Sequence, residues 1–319
     1  MKILIADSFP EAYRSVLAKS GHEITFSPDL DADSLSGAIG DNEALIVRST
    51  KVQAETLKAG ENLKLVIRAG AGTNTIDKSF AAESGIRVCN VPGANAVAVA
   101  ELAMGLILSI DRNIPDGVSD LNKGIWAKKK YSKAQGLLGQ KIAILGLGSI
   151  GFAVAERANA FGMEVFALAK PNRSAAAEQR IKDAQITQLD SMDELLAQCD
   201  IISLHMPATD ETRNLVNPAF LEKMKESAML INTSRGELID EAALLQAMQS
   251  KGIRVGLDVY NNEPGAADST FSSEIATHPA VCSTHHIGAS TEQAQNAVAE
   301  GVVDVIAAYT EGEFKNCVN

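Results

Sequence analysis

The chain has 319 residues, enough for two domains of ordinary size or one interrupted by another. Hydrophobic residues make up 46% and charged residues 22%, a globular balance, and a formal net charge of −11 leaves no basic excess to displace counterions from nucleic acid. A small anionic ligand needs only a local cluster of arginine and lysine, so that class stays open.

Along the first hundred residues, short β-rich runs alternate with helical patterns. "KILIA", "HEITF", "ALIVR", "KLVIRAG" and "IRVCNV" are predicted strands, with helices over "PEAYRSVLAKSG" and "SLSGAIG" between them. Strands alternating with helices imply a parallel sheet covered on both faces. A long helix is predicted from about Asn95 to about Arg112, broken at "NIPDG" and followed by the basic patch "WAKKKYSK". A second alternating block supplies "KIAILG", "EVFALA", "DIISLH", "AMLINTS", "RVGLDVY" and "AVCSTHH", a six-stranded doubly wound sheet. The final "STEQAQNAVAEGVVDVIAAYTEG" is one amphipathic helix with Ser290 or Thr291 as its N-cap.

Targeting signals are weak. "MKILIAD" reaches Asp7 too soon for a signal-peptide core, and the apolar "VAVAELAMGLILSI" is interrupted by Glu101 and falls short of the ~20 residues that span a bilayer. The four cysteines, Cys89, Cys199, Cys282 and Cys317, are far apart and form no CxxC. A disulfide framework or zinc knuckle is therefore not expected, and a soluble protein of the reducing cytoplasm is.

Two features carry chemistry. "GLGSIG" follows a predicted strand and opens a predicted helix. In that context Gly146 permits the tight turn, Gly148 lets backbone approach a pyrophosphate, and Gly151 lets the helix pack closely on the strand. The helix N-terminus then offers N–H groups to the anion. The second feature is scattered: Arg235 in "INTSRGELID", Glu263 in "LDVYNNEP" and His286 in "STHHIGAST" all lie at or beyond the carboxyl ends of predicted strands. That is where open α/β sheets bind ligands. An arginine there grips a carboxylate, and a glutamate beside a histidine orients the ring for proton transfer. Taken singly, each has a plainer account as an ion-pair partner, a loop residue or a buried histidine.

These motifs, with "RAGAGTNTID", "VPGANAVAVAE" and "SLHMP" in the same order, resemble the D-specific 2-hydroxyacid dehydrogenases over essentially the whole chain. The resemblance implies two doubly wound parallel-sheet domains of α/β class, a Rossmann cofactor domain (99–287) inserted into a flavodoxin-like substrate domain (1–98 and 288–319), with a cleft that closes around hydride transfer. It implies that Arg235 binds the substrate carboxylate and carbonyl, that Glu263 pairs with the histidine, and that His286, directly before Ile287, exchanges the hydroxyl proton. His285 stands where the family often has proline and is read as structural; neighbouring side chains on a strand point to opposite faces, so the two histidines are not expected to hold a metal. An NAD(P) cofactor is implied, contacted by Gly146, Gly148, Ser149, Ile150, Gly151, Lys170, Arg173, His205, Pro207, Thr233, Ser234, Asp258 and Gly288.

Within the family the nearest likeness is to phosphoglycerate dehydrogenases of serine biosynthesis, in a short form without a regulatory C-terminal domain, an ending that "NCVN" also suits. By that likeness Arg48 and Ser49 contact the substrate phosphate, and Ala71, Gly72 and Asn95 contact the substrate. The loop is one residue shorter before Lys51 than the usual pattern. Lys128 to Lys130 resemble a basic segment that approaches the site from a partner subunit, with a solvated surface patch as the alternative. A homodimer formed through the long helix from Asn95 and the following arm is expected. The rival readings are a glyoxylate, hydroxypyruvate or other 2-oxoacid reductase and, from another class, a nucleotide-sensing protein like the C-terminal-binding-protein corepressors; formate dehydrogenases carry glutamine where this chain has Glu263.

One departure bears on the cofactor. The acidic residue that normally ends the second strand of the cofactor domain falls on Ala169, with Lys170 next and Arg173 beyond. That carboxylate accepts hydrogen bonds from the adenosine ribose and repels a 2′-phosphate. Its replacement by basic neighbours leads to an expectation of relaxed specificity leaning toward NADP(H), with Arg173 as the phosphate ligand.

Overall fold

The computed structural model describes residues 1–264 and 270–319. Those residues form two compact units, 1–95 with 289–319, and 96–264 with 270–288.

Unit 1 contains the five expected strands, β1 (Lys2–Ile5), β2 (Glu23–Phe26), β3 (Ala44–Val47), β4 (Leu65–Arg68) and β5 (Arg87–Asn90). All their pairings are parallel, in the order β2-β1-β3-β4-β5, which is the flavodoxin-like arrangement. Helices α1 (Glu11–Lys19) and α2 (Ala32–Ala38) fall where the periodicity put them. Two further helices, α3 (Ala54–Ala59) and α4 (Lys78–Glu83), are not expected from sequence, being six residues each and too short to display a helical period. Strand residues alternate between two cores. Ile3 and Ile5 pack with Val302, Val305 and Ile306, whereas Leu4 packs with Leu35 and Leu57 on the opposite face. The first group belongs to the terminal helix, Glu292–Thr310, whose N-cap is Thr291, accepting from the Ala294 amide at 3.1 Å.

Unit 2 opens with α5 (Ala96–Arg112). The expected break after it is confined to Asn113, in the left-handed region with φ 50°, because "IPDG" starts a second helix, α6 (Ile114–Asn122). Its proline lies in the first turn, where the missing N–H has no helical partner to lose. There follow β6 (Lys141–Leu145), α7 (Ser149–Ala160), β7 (Glu164–Leu168), α8 (Ala175–Asp183), β8 (Ile186–Leu189) and α9 (Met192–Gln198). Then come β9 (Ile201–Leu204), α10 (Pro218–Lys223), β10 (Met229–Asn232), α11 (Glu241–Lys251), β11 (Arg254–Leu257) and β12 (Val281–Ser283).

The parallel sheet has seven strands in the order β12-β11-β10-β9-β6-β7-β8, not the six expected. The unexpected member is β8, an edge strand of sequence ITQL with only Ile186 buried, so its apolar signal is faint until it pairs with β7. Counted from β6, the order is the nucleotide-binding 3-2-1-4-5-6 arrangement with one further strand. Ile201 joins the core beneath α5 and α7, and Ile202 the core beneath α9 and α11. Among the described residues, no helix is long and apolar enough to cross a membrane.

Candidate active site

The carboxyl ends of β10, β11 and β12 bring Arg235, Glu263 and His286 together. Glu263 Oε2 lies 2.6 Å from His286 Nδ1, and its Oε1 accepts the Tyr260 amide at 2.9 Å. Burial raises the affinity of this carboxyl for its proton, but the His286 hydrogen bond and charge, the Tyr260 amide and the Arg235 charge outweigh it and leave the group below the ordinary carboxylate range. Glu263 is therefore ionised at neutral pH. The His286 side chain is 50% exposed, so the imidazole edge opposite the carboxylate is open to a ligand. Arg235 donates from Nη1 to the Ser234 carbonyl at 2.5 Å, a bond that leaves most of its five donors available.

Side chains beneath the trio set its geometry. Asn232, fully buried at the end of β10, donates to the Arg235 carbonyl at 2.7 Å and accepts from the Ser234 amide and hydroxyl at 3.0 and 2.7 Å. Gly236 lets the Arg235 loop lie against the loop of Glu263, since a Cβ there would sit 2.1 Å from the Tyr260 carbonyl carbon. Asp258, 1% exposed, accepts from Thr284 Oγ1 at 2.7 Å and from the amides of Ile287 and Gly288, each at 2.8 Å. Those bonds hold His286 in the left-handed region at φ 53°, a conformation that costs a non-glycine residue energy unless its surroundings impose it. Strand β12 ends at Ser283, so the alternation used to separate His285 from His286 does not apply; the turn at φ 53° sets the ring's direction instead. Among the described residues, no three His, Cys, Asp or Glu side chains gather as a metal ion would require.

The glycine loop joins β6 to α7. Gly146 has φ 108°, and a Cβ on it would meet the His205 carbonyl oxygen at 2.3 Å; one on Gly151 would meet the Gly146 oxygen at 2.0 Å. Gly148 is the N-cap of α7 with no capping side chain, which leaves the first helical amides, beginning at Ser149 and Ile150, free for an anion. Two buried polar atoms nearby in the sheet order lack partners: His205 Nδ1, beyond β9, and Thr233 Oγ1, beyond β10. The other ring nitrogen, His205 Nε2, is 2.7 Å from Ser203 Oγ, and burial depresses the histidine to about 4, so it is neutral at pH 7. A backbone cradle, uncapped amides and orphaned polar atoms at the strand ends fit a dinucleotide. Pro207 is exposed and its carbonyl accepts from Thr212 Oγ1 at 2.8 Å. The carboxylate of Asp258 and the hydroxyl of Ser234 are engaged within the protein as described.

At the end of β7 the backbone N–H of Ala169 donates to Leu189 at 2.7 Å. Arg173 folds back to donate from Nη2 to the Leu168 carbonyl at 3.0 Å, which brings its guanidinium beside Ala169, while Lys170 is exposed.

In unit 1, Asp7 organises the Arg48 loop. One carboxylate oxygen accepts the amides of Arg48, Ser49 and Thr50 at 2.6, 3.1 and 3.1 Å. Those amides are therefore not available to a ligand, and the side chains of Arg48 and Ser49 are. Arg48, Arg68, Asn95 and Gln295 line one cavity, where Arg48 Nη2 also reaches Ser290 Oγ at 3.3 Å. Ala71 and Gly72 are half-buried on the following loop, and the Ala71 carbonyl accepts from Asn90 Nδ2 at 2.6 Å.

The family model for the D-isomer specific 2-hydroxyacid dehydrogenase NAD binding domain matches residues 104–288. A hydroxypyruvate reductase of Thermotoga maritima is 41% identical over 300 residues, covering 93% of this chain and 94% of that one. The chain belongs to this family of dehydrogenases. A D-3-phosphoglycerate dehydrogenase of Methanocaldococcus jannaschii is 37% identical over 100% of this chain, which spans 59% of that protein's length. A solved structure from Thermus thermophilus superposes with a TM-score of 0.87 at 30% identity, covering 100% of both chains.

Three residues of this dehydrogenase, Asp7 and Arg68 in unit 1 and Asn232 in unit 2, were not singled out from sequence. Arg68 ends β4 as an ordinary strand residue, and Asn232 and Asp7 resemble turn-formers; only the fold shows that Arg68 lines the Arg48 cavity and that the other two side chains gather neighbouring amides. The basic arm is engaged in part, because Lys130 Nζ binds Asp120 at 2.9 Å on a carboxylate that also accepts the Tyr131 hydroxyl at 2.6 Å.

Proposed function

We propose that this 2-hydroxyacid dehydrogenase reversibly oxidises 3-phospho-D-glycerate to 3-phosphohydroxypyruvate. The observation that carries the substrate is the pair of arginine side chains, Arg48 and Arg68, lining one cavity of unit 1. Two arginines suit a phosphate dianion better than they suit an uncharged hydroxymethyl group. On this reading unit 1 is the substrate-binding domain. Bound NAD(P) supplies the hydride acceptor, held by the Gly146–Gly151 turn and the first amides of α7. Arg235 binds the substrate carboxylate. His286 takes the 2-hydroxyl proton on Nε2, the nitrogen that Glu263 does not engage, and the Glu263 carboxylate offsets the charge the ring acquires.

A second reading, reduction of hydroxypyruvate or glyoxylate, draws support from the similarity to the Thermotoga protein. The two separate in a steady-state assay of phosphohydroxypyruvate, hydroxypyruvate and glyoxylate. The phosphoglycerate reading expects kcat/KM to favour the phosphorylated acid, and Arg48→Ala to erase that preference through KM. Equal or better turnover of hydroxypyruvate by the natural enzyme overturns it.

We infer in addition a cofactor specificity relaxed toward NADP(H), supported by Ala169 and by the Arg173 guanidinium at the end of β7. A homodimer fits the exposed apolar residues Val118, Leu121, Ile125 and Trp126 on α6 and the segment after it. Sedimentation as a monomer at assay concentrations refutes the dimer.

A further inference from the structure

After the terminal helix the chain returns along β5, the outer strand of the five-stranded sheet. Cys317 there stands opposite Cys89 in an antiparallel bridge. The Asn90 amide donates to the Asn316 carbonyl at 3.2 Å, and the Val318 amide to the Val88 carbonyl at 2.9 Å. These bonds flank the two cysteines rather than join them, which makes them a non-hydrogen-bonded pair. In such pairs the Cα atoms approach to ~4.5 Å with both side chains on one face. That separation lies within the ~4.4–6.8 Å that a disulfide accepts. Asn319 fixes the register independently, since its side chain accepts the Val88 amide and donates to the Ile86 carbonyl, both at 2.8 Å.

We propose that Cys89 and Cys317 form a reversible disulfide that staples the C-terminal tail to the edge of this sheet. Both thiols are free in the structure. The oxidant is a low-molecular-weight disulfide such as oxidised glutathione. The Cys317 thiolate attacks one of its sulfurs and releases one small thiol. The Cys89 sulfur, losing its proton, then attacks the Cys317 sulfur and releases the second. Two protein thiols and one small disulfide thus become one protein disulfide and two small thiols. The order follows from exposure. Cys89 is 1% exposed, and burial together with the neighbouring Cys317 sulfur pushes its thiol up to about 12, whereas Cys317 is partly open to solvent. The staple would close the sheet edge covalently and constrain the unfolded chain between Cys89 and Cys317.

Peptide mapping of the full chain tests this. The protein is incubated with excess oxidised glutathione, quenched in acid and digested with trypsin without reduction. Cleavage after Arg87 and Lys315 puts Cys89 in residues 88–112 and Cys317 in residues 316–319. The expected product is these two peptides joined, lighter than their sum by two hydrogens, restored by dithiothreitol and absent from Cys317→Ser. The oxidised protein should melt higher than the reduced one by ~5 °C or more. Cys317 recovered only as the glutathione mixed disulfide or unmodified, with Cys89 reduced, overturns the pair. A cross-linked protein that melts no higher than the reduced form overturns the staple.

Discussion

At the end of β7, Ala169→Asp puts the cofactor reading to a direct test. Ala169 is half-buried and its amide is bonded to Leu189 at 2.7 Å, so the backbone is held by β8 and the new side chain displaces no core residue. The carboxylate gains a charge-assisted hydrogen bond to the adenosine ribose, worth ~1.5–3 kcal/mol to NADH. It also stands beside the Arg173 guanidinium, whose Nη2 lies 3.0 Å from the Leu168 carbonyl, and so competes with a 2′-phosphate for that cation while repelling the phosphate itself. At ~5 Å and an effective dielectric near 20 this opposition is worth up to ~3 kcal/mol before salt screening. Each ~1.4 kcal/mol is tenfold. The ratio of kcat/KM for NADPH over NADH should therefore fall at least ~tenfold, and ~hundredfold or more where both effects operate. Initial rates by nicotinamide absorbance at saturating 2-oxo acid measure it. Arg173→Ala should lower the NADPH value and spare NADH. A natural enzyme that strongly prefers NADH, or a ratio indifferent to the new aspartate, refutes the reasoning.

Three further outcomes are expected. Glu263→Gln should cut kcat by roughly ten- to a hundredfold, the value of the charge-assisted bond to His286, with little change in KM; unaltered kcat would mean that the carboxylate does not act through the ring. Arg235→Ala should raise KM for the 2-oxo acid by ~tenfold or more and leave the melting temperature nearly unchanged, because Asn232 holds that loop from beneath; an unaltered KM would remove Arg235 from substrate binding. The buried His205, depressed from 6.5 to about 4, makes stability pH-dependent: the unfolded chain takes up the proton first, so native stability is full above pH 6.5 and declines as pH falls toward 4, by about 3 kcal/mol in all. Denaturant unfolding across that range should show the decline, and His205→Asn should reduce it; an identical pH dependence in the variant would contradict the assignment.

Much of this protein was legible before folding. Short apolar runs name β1 to β7 and β9 to β12, continuous where a strand such as β3 or β10 is buried on both faces, and the glycine spacing marks the turn into α7 because Cβ atoms at Gly146 and Gly151 have nowhere to go. The trio was legible as a set, since strand ends of an open sheet converge on one edge. Other features carry no local signal. Strand β8 is polar and becomes a strand only by pairing with β7. The break at "NIPDG" shrank to one residue because a proline in a first turn costs a helix nothing.

Sequence by itself thus determined which residues bear charge, which runs are buried and where the chain turns. Tertiary structure alone decided what each polar side chain collects. Asp7 gathers three amides of the Arg48 loop, and Asp258 gathers the amides that force His286 into φ 53°. It also decided that Cys317 lies opposite Cys89 across the sheet edge. The reason is physical: periodicity records burial, which is a local average, whereas a hydrogen bond or a sulfur pair depends on two atoms meeting across an otherwise arbitrary length of chain.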